Sequence, residues 1–265
     1  AIRVHGQSSK VYVHNSRVND NSAHISGDVH VQNGASAYMN RCMLSGAEAI
    51  AASLGGSAKY PGCSITADEG DGNSTANTTL CVFNSTINDA VSTAYTTGSP
   101  QISLISTNAL IANTTIYGFS MGIIRADKRS TAVDNVHIYN SLLLQTKADA
   151  VGVNLSKACS MNDYCSVMND AKNGWTVDPL NQITVNDVDI TWNKAAGALQ
   201  WSLKDGKTIG NYAEKDVLAG KVKAVFPDFD RWLKTVDEDP YAIDYAGNQR
   251  NPEKLNPGSW DPKLQ

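Results

Sequence analysis

The densest group of side chains able to act on a ligand is Arg125-Ala-Asp-Lys-Arg129, in which Arg125, Lys128 and Arg129 are offset only by Asp127. Such a cluster suits the binding of a carboxylated or sulfated glycan. It also suits an elimination, in which a cation neutralises a uronate carboxyl while a basic group takes the adjacent proton. The competing reading is an ordinary solvated turn, the usual fate of a charge run. Glycoside hydrolysis needs carboxylates facing one another across a groove. No Asp-Asp pair occurs, and the acidic residues between positions 1 and 150 are too scattered to nominate one. The histidines are His5, His14, His24, His30 and His137. No Ser/His/Asp arrangement is legible around them, so structural or exposed roles are expected for each.

The cysteines are Cys42, Cys63, Cys81, Cys159 and Cys165. None forms a CxxC pair and no histidine lies at zinc-knuckle spacing, so a metal site is not expected. Cys159 and Cys165, in Ala-Cys-Ser-Met-Asn-Asp-Tyr-Cys, suit a small disulfide-closed loop and hence an oxidising compartment; two unpaired thiols in a surface loop are the alternative.

These residues must be carried by elements, and the elements repeat. The segments Val11–Val18, Ala37–Leu44, Ala58–Ile65, Leu80–Ile87, Ala109–Ile116 and Val136–Leu143 each alternate apolar or small residues with polar ones. Each then turns a polar corner, places a small residue, and puts an aliphatic residue two places on. The small residues Ser16, Cys42, Cys63, Ser85, Thr114 and Ser141 are spaced by 26, 21, 22, 29 and 27 residues. Elastic spacing with fixed strands belongs to a coil whose turns vary in length. A second strand follows each motif, at Ala23-His-Ile, Ala49-Ile-Ala, Ala90-Val-Ser, Gly122-Ile-Ile, Ala150-Val-Gly and Ala198-Leu-Gln. Hairpin signals are nearly absent. The pattern predicts an all-β chain, a right-handed parallel β-helix, with Ser16, Cys42, Cys63, Ser85, Thr114 and Ser141 in one file. Cys42 and Cys63 then stand as neighbours on adjacent rungs, near enough to bond or simply to pack.

Asn15, Asn84, Asn113 and Asn140 share one corner position, where stacked carboxamides hydrogen-bond along the axis. Asn84-Ser-Thr and Asn113-Thr-Thr match the glycosylation sequon, but a stacked corner has no room for a glycan. The coil is expected over residues 1–201, with a loop insertion at 154–182 and one further turn from Ile183 to Trp201. Residues 202–265, rich in Lys, Asp, Pro and Trp, are expected to cap or wrap it. Within them, Phe226-Pro-Asp-Phe-Asp-Arg-Trp-Leu reads as a short amphipathic helix or wrap.

Hydrophobic residues make up 42% of the chain and charged residues 18%, with the balance in Ser, Thr, Asn and Gly, which favours strands joined by tight turns over long helices. A net charge of −4 argues against a nucleic-acid partner. No run approaches the roughly 18 to 20 apolar residues that span a bilayer. Ala1-Ile2-Arg3-Val4 already reads as a strand, which points to a chain starting partway through a longer protein.

On the stacked motifs, residues 1–201 resemble the pectin-lyase-like β-helix superfamily. The tail Asp244-Tyr-Ala-Gly-Asn-Gln-Arg-Asn-Pro with Pro257-Gly-Ser-Trp-Asp is similar to the closing segment of many secreted bacterial β-helix proteins. The first turns resemble bacterial pectinesterases, with Leu44–Ser53 in the place of their nucleophile strand. That resemblance departs where it matters: the nucleophile position holds Ala49 beside Glu48, the Gln-Asp pair falls at Ser22-Ala23, and the Arg-Pro-Trp motif is missing. Pectinesterase activity is therefore not expected.

Two functions follow as expectations. The first is a secreted or surface-displayed solenoid, like an adhesin or autotransporter passenger, that binds an extracellular polysaccharide or surface glycan and needs no cofactor. The second is a polysaccharide lyase on an acidic glycan, in which case Ca²⁺ is a candidate cofactor. A phage tailspike fragment is a weaker third.

Overall fold

The computed structural model describes residues 1–50, 63–70, 77–92, 100–119, 121–126, 136–145, 151–155, 161–169, 181–193 and 198–260. The chain is laid down in successive passes. The first contributes β1 (Ile2–His5), β2 (Lys10–His14), β3 (Arg17–Asn19) and β4 (Ser22–Ala23). The second contributes β5 (Val29–Gln32), β6 (Ser36–Asn40), β7 (Met43–Ser45) and β8 (Glu48–Ala49), and the third β9 (Ile65–Asp68), β10 (Thr78–Phe83), β11 (Thr86–Asn88) and β12 (Val91–Ser92). The fourth adds β13 (Pro100–Ile105), β14 (Thr107–Ala112) and β15 (Thr115–Phe119); the fifth adds β16 (Met121–Ala126), β17 (Val136–Tyr139) and β18 (Leu142–Gln145). Then follow β19 (Val151–Leu155), β20 (Met161–Tyr164), β21 (Val167–Asn169) and β22 (Gln182–Ile183).

Corresponding strands of successive passes pair in parallel. Sheet I runs β1-β5-β9-β13-β16-β19, sheet II β2-β6-β10-β14-β17-β20, sheet III β3-β7-β11-β15-β18-β21-β22, and a small sheet IV β4-β8-β12. The chain is thus mostly β, with three long parallel sheets, an arrangement compatible with a parallel β-helix.

Alternation along each strand sends every second side chain inward, and register turns those residues into files. In sheet II the file is Val11, Ala37, Leu80, Ala109 and Val136. In sheet III it is Val18, Leu44, Ile87, Ile116 and Leu143. Both meet Val29, Val31, Ile65 and Ile102 of sheet I in one core.

The corner between sheets II and III repeats a single device. Asn15, Asn84, Asn113 and Asn140 have φ of 47°, 46°, 48° and 45°, the left-handed region that asparagine tolerates better than most residues. Arg41 and Cys165 hold the same conformation at φ 55°. The next residue is small because its side chain must reach backbone groups left unpaired by the bend. Ser85 Oγ donates to the Phe83 carbonyl at 2.7 Å while accepting the Cys42 N–H at 3.0 Å. Ser141 Oγ donates to the Tyr139 carbonyl at 3.1 Å and accepts the Thr114 N–H at 3.2 Å.

The expected file is corrected at one member. Cys63 does not follow Cys42; Ser85 does, 43 residues on. Ile65, the aliphatic member of the Ala58–Ile65 motif, pairs with Val29 and Ile102 in sheet I and not in sheet III; residues 58–62 lie outside the described residues. Cys63 clusters instead with Ala47 and Ala90. The error has a physical cause: a small residue followed two places on by an aliphatic one serves any strand entry, not only this corner. At the other end Ser166 joins the file, accepting the Ser141 N–H at 3.2 Å. Residues 161–169, which the sequence reading placed in a loop insertion, therefore supply β20 and β21. The second-strand series also divides, with Ala23 and Ala49 in sheet IV but Gly122 and Val151 in strands of sheet I.

Past β22 the parallel pattern ends. β23 (Val188–Asn193) and β24 (Ala198–Leu203) form an antiparallel pair where a further parallel turn was expected. Helices α1 (Lys215–Val225) and α2 (Pro227–Val236) follow. Pro227 suits the first turn of α2, where its missing N–H costs nothing. No helix among the described residues is long and apolar enough to cross a membrane.

Candidate functional site

From β6 onward the outward side of sheet II is largely apolar and covered. Tyr38, Cys81, Phe83, Leu110 and Tyr139 pack against Leu218 and Val222 of α1 and Phe229 and Leu233 of α2. Outward residues of sheet III, Leu142, Leu144 and Val167, meet Val188, Trp201 and Ile209.

The tail then laces the corner between these two sheets. Asp237 accepts from Asn40 at 2.8 Å and from Arg41 at 3.1 Å, and Arg41 also donates to the Tyr245 carbonyl at 3.0 Å. Asn84 donates to the carbonyls of Pro240 and Ile243, both at 3.1 Å, and Asn140 to that of Asn256 at 3.1 Å. Asn140 also donates to Asn113 at 2.8 Å, the expected axial carboxamide contact. Buried Arg250 donates to the carbonyls of Ile243, Asn256 and Gly258 at 2.9–3.0 Å. Asn84 and Asn113 are fully buried, Asn84 beneath the tail's carbonyls and Asn113 against Asn140.

Sheet I differs. Val4, Val29, Val31, Ile65 and Ala67 enter the core, so Arg3, His5, His30, Gln32, Thr66 and Asp68 stand on the other face. Direct partners across the strands are Arg3, His30 and Thr66 in one file and His5, Gln32 and Asp68 in the next. The files are tied side chain to side chain. Arg3 Nε and Nη2 both donate to Gln32 Oε1, at 3.0 and 2.6 Å. His30 Nε2 lies 3.0 Å from Asp68 Oδ2, with 13% and 3% of the two side chains exposed. Asn33 Nδ2 stands 2.6 Å from His5 Nε2.

Asp68 is held from a second side by the Gly70 N–H, 2.6 Å from Oδ1. Gly70 has φ +74°, and a Cβ there would run into the Asn33 carboxamide. Glycine is therefore required both by conformation and by space. Next to this face lies Asp28, fully buried at the entry to β5. Asn21 Nδ2 donates to its Oδ1 at 3.1 Å and Ser64 Oγ to its Oδ2 at 2.9 Å. Burial pushes the Asp28 carboxyl up to about 6, against the pull of those two donors.

Of the residues singled out from sequence, Arg125 lies within β16, paired with Leu104 and Leu155. Asp127, Lys128 and Arg129 lie outside the described residues, as does Cys159. Cys165 occupies the sheet II to sheet III corner, and no disulfide is present among the described residues. Glu48 and Ala49 pair directly with Ser22 and Ala23 in sheet IV, with Ala49 buried.

His137 has the structural role expected of it. It is buried beside Tyr139, whose hydroxyl is 2.7 Å from Nδ1, and burial together with nearby Lys221 lowers its pKa. His30 also has a structural contact, and its carboxylate partner comes from the next pass, 38 residues away. Among the described residues no group of three or more His, Cys, Asp or Glu is placed to hold a metal ion. Comparison with protein-family models, with curated proteins and with solved structures gave no match.

Proposed function

We propose that this chain is a right-handed parallel β-helix of the pectin-lyase-like kind, secreted or displayed at a cell surface, that binds an extracellular polysaccharide along the outward face of sheet I. The handedness rests on the strong preference of parallel crossovers. The binding face is chosen by one observation: Arg3–Gln32, His30–Asp68 and His5–Asn33 form polar side-chain pairs on the outward side of sheet I, with Arg3 and His5 exposed on its first strand, while outward residues of sheets II and III are apolar and pack against the C-terminal segment. Side chains already fixed by partners lose little freedom when a ligand arrives, and strand spacing of roughly 4.8 Å offers a polymer repeated contacts.

The orientation of His30 favours binding over catalysis. Its outer nitrogen, Nε2, is the one engaged by Asp68, which leaves Nδ1, adjacent to its own backbone, as the remaining ring nitrogen. General acid–base work needs a nitrogen that reaches the substrate.

A lyase acting on an acidic glycan is the second reading. It is favoured by Arg3, a cation for the uronate carboxyl on the exposed first strand of the same face; the base would be a group other than His30, whose Nε2 is held by Asp68.

The test is binding of the intact chain to immobilised neutral and uronate polysaccharides, followed by Arg3→Ala with His30→Ala. Retention of at least one polysaccharide is expected, lost in the double variant while circular dichroism shows it still folded at the assay temperature. No retention of any of them would sink the binding reading. Accumulation of an unsaturated, ultraviolet-absorbing product would transfer the face to the lyase reading.

A further inference from the structure

A second surface is shaped for sugar, and its assignment rests on the polysaccharide-binding reading. Tyr12, on the outward side of β2, is 48% exposed and is the only aromatic among the exposed large hydrophobic residues described. Its ring lies 5.4 Å from that of Trp232 on α2, inclined at 45°, and 5.3 Å from that of Tyr38. Phe229 backs both inner rings, 5.4 Å from Tyr38 and 5.6 Å from Trp232. The outermost ring therefore rests on a buried aromatic stack and is held in place.

Charged groups border the pair. The Asp228 carboxylate lies 3.8 Å from Lys10 Nζ and 3.3 Å from Arg231 Nη1, with 41% of Lys10, 55% of Asp228 and 77% of Arg231 exposed. Lys10 shares β2 with Tyr12, and Asp228 and Arg231 share α2 with Trp232; exposed ion pairs of this kind contribute little to stability and are free to meet a ligand.

We propose that Tyr12 and Trp232 form a stacking platform for one pyranose ring of the polysaccharide, with Asp228 accepting from its hydroxyls and Lys10 and Arg231 donating to them. A pyranose has an apolar C–H face and a hydroxylated edge, the complement of an aromatic surface with donors and acceptors at its border. An acyl chain would draw the charged Lys10, Asp228 and Arg231 out of water with no hydrogen-bonding group of its own, which is costly.

The experiment uses the intact chain and whichever immobilised neutral or uronate polysaccharide the wild type retains, with affinity read by calorimetry on oligomers of that polymer. Tyr12→Ala should weaken binding by about fivefold or more, and Tyr12→Phe should stay within about twofold of wild type, because the ring face and not the hydroxyl makes the contact. Trp232→Phe should bind while losing the ligand-induced change in tryptophan fluorescence. If Tyr12→Ala binds as the wild type does while Arg3→Ala with His30→Ala does not, the platform is overturned and the sheet I reading stands. If the wild type retains no polysaccharide, both fall together. Tyr12→Phe weakened as much as Tyr12→Ala would also overturn stacking. Thermal melts of the variants separate each of these results from unfolding.

Discussion

His30 and Asp68 meet at 3.0 Å across two adjacent strands of sheet I, and the nearly buried carboxylate also accepts the Gly70 N–H. The pair is therefore part of the scaffold as well as of the candidate binding face. Replacing Asp68 by Ala leaves the Gly70 N–H and the imidazole without that partner in a place water barely reaches. A loss of about 2–3 kcal/mol is expected, measured by urea unfolding. Stability unchanged within error would show that the contact is incidental.

Gly70 is the most constrained position beside that face. At φ +74°, with the Asn33 carboxamide where a Cβ would go, Gly70→Ala must move Asn33 away from His5. The cost should be about 2 kcal/mol or more. A control substitution at Gly206, which also has positive φ but open space around it, should cost less. Equal losses at the two sites would leave conformational strain alone as the cause, without the Asn33 contact.

Asp28 gives the chain a pH dependence of defined sign. Its folded pKa is raised from the model-peptide value of 3.8 to about 6. Its stabilising contribution is therefore complete below about pH 4 and is lost as pH rises through about 6. Asp28→Asn keeps a group able to accept from Asn21 without the charge. It should raise stability at pH 7 to 8 by on the order of 2 kcal/mol and change little at pH 4. The comparison is urea unfolding of both proteins across that range. A variant less stable than wild type at pH 8 would refute the account.

The tail should behave as a structural strap. Arg250 is buried among three carbonyls and reaches the Asn84 carboxamide at 3.4 Å, so Arg250→Ala exposes or orphans several acceptors together. About 3 kcal/mol of destabilisation is expected, with earlier proteolysis within residues 237–260 than elsewhere. Cleavage that begins elsewhere in the variant would contradict the strap.

Glycosylation offers an independent check on the same corner. Expressed through a eukaryotic secretory pathway, the folded protein should carry no glycan at Asn84 or Asn113, since both are fully buried. Mass spectrometry of intact peptides decides it. Substantial occupancy at either residue would mean that the corner is open when the modifying enzyme meets it.

The sequence by itself determined the periodic part of this protein. Files such as Val18, Leu44, Ile87, Ile116 and Leu143 were legible because strand alternation and a small residue at a tight corner are local requirements, written into eight consecutive positions. The asparagine corner was legible for the same reason, since one residue must take the left-handed conformation. The helix at Phe226–Leu233 was announced by its own apolar spacing. Local rules do not say which strand a segment joins. Cys63-Ser-Ile65 satisfied the corner pattern yet belongs to sheet I. Aligning Val29-His-Val-Gln with Ile65-Thr-Ala-Asp would have placed His30 and Asp68 on one face. Only the tertiary structure decided that register, since it depends on how far the chain travels between passes, and the intervening turns are elastic. It also decided that the C-terminal segment lies along sheet II and the adjoining corner. Tyr38, Phe83 and Tyr139 sit at outward strand positions that a sequence reading counts as solvent-facing, and only the arrival of α1 and α2 shows why they are aromatic.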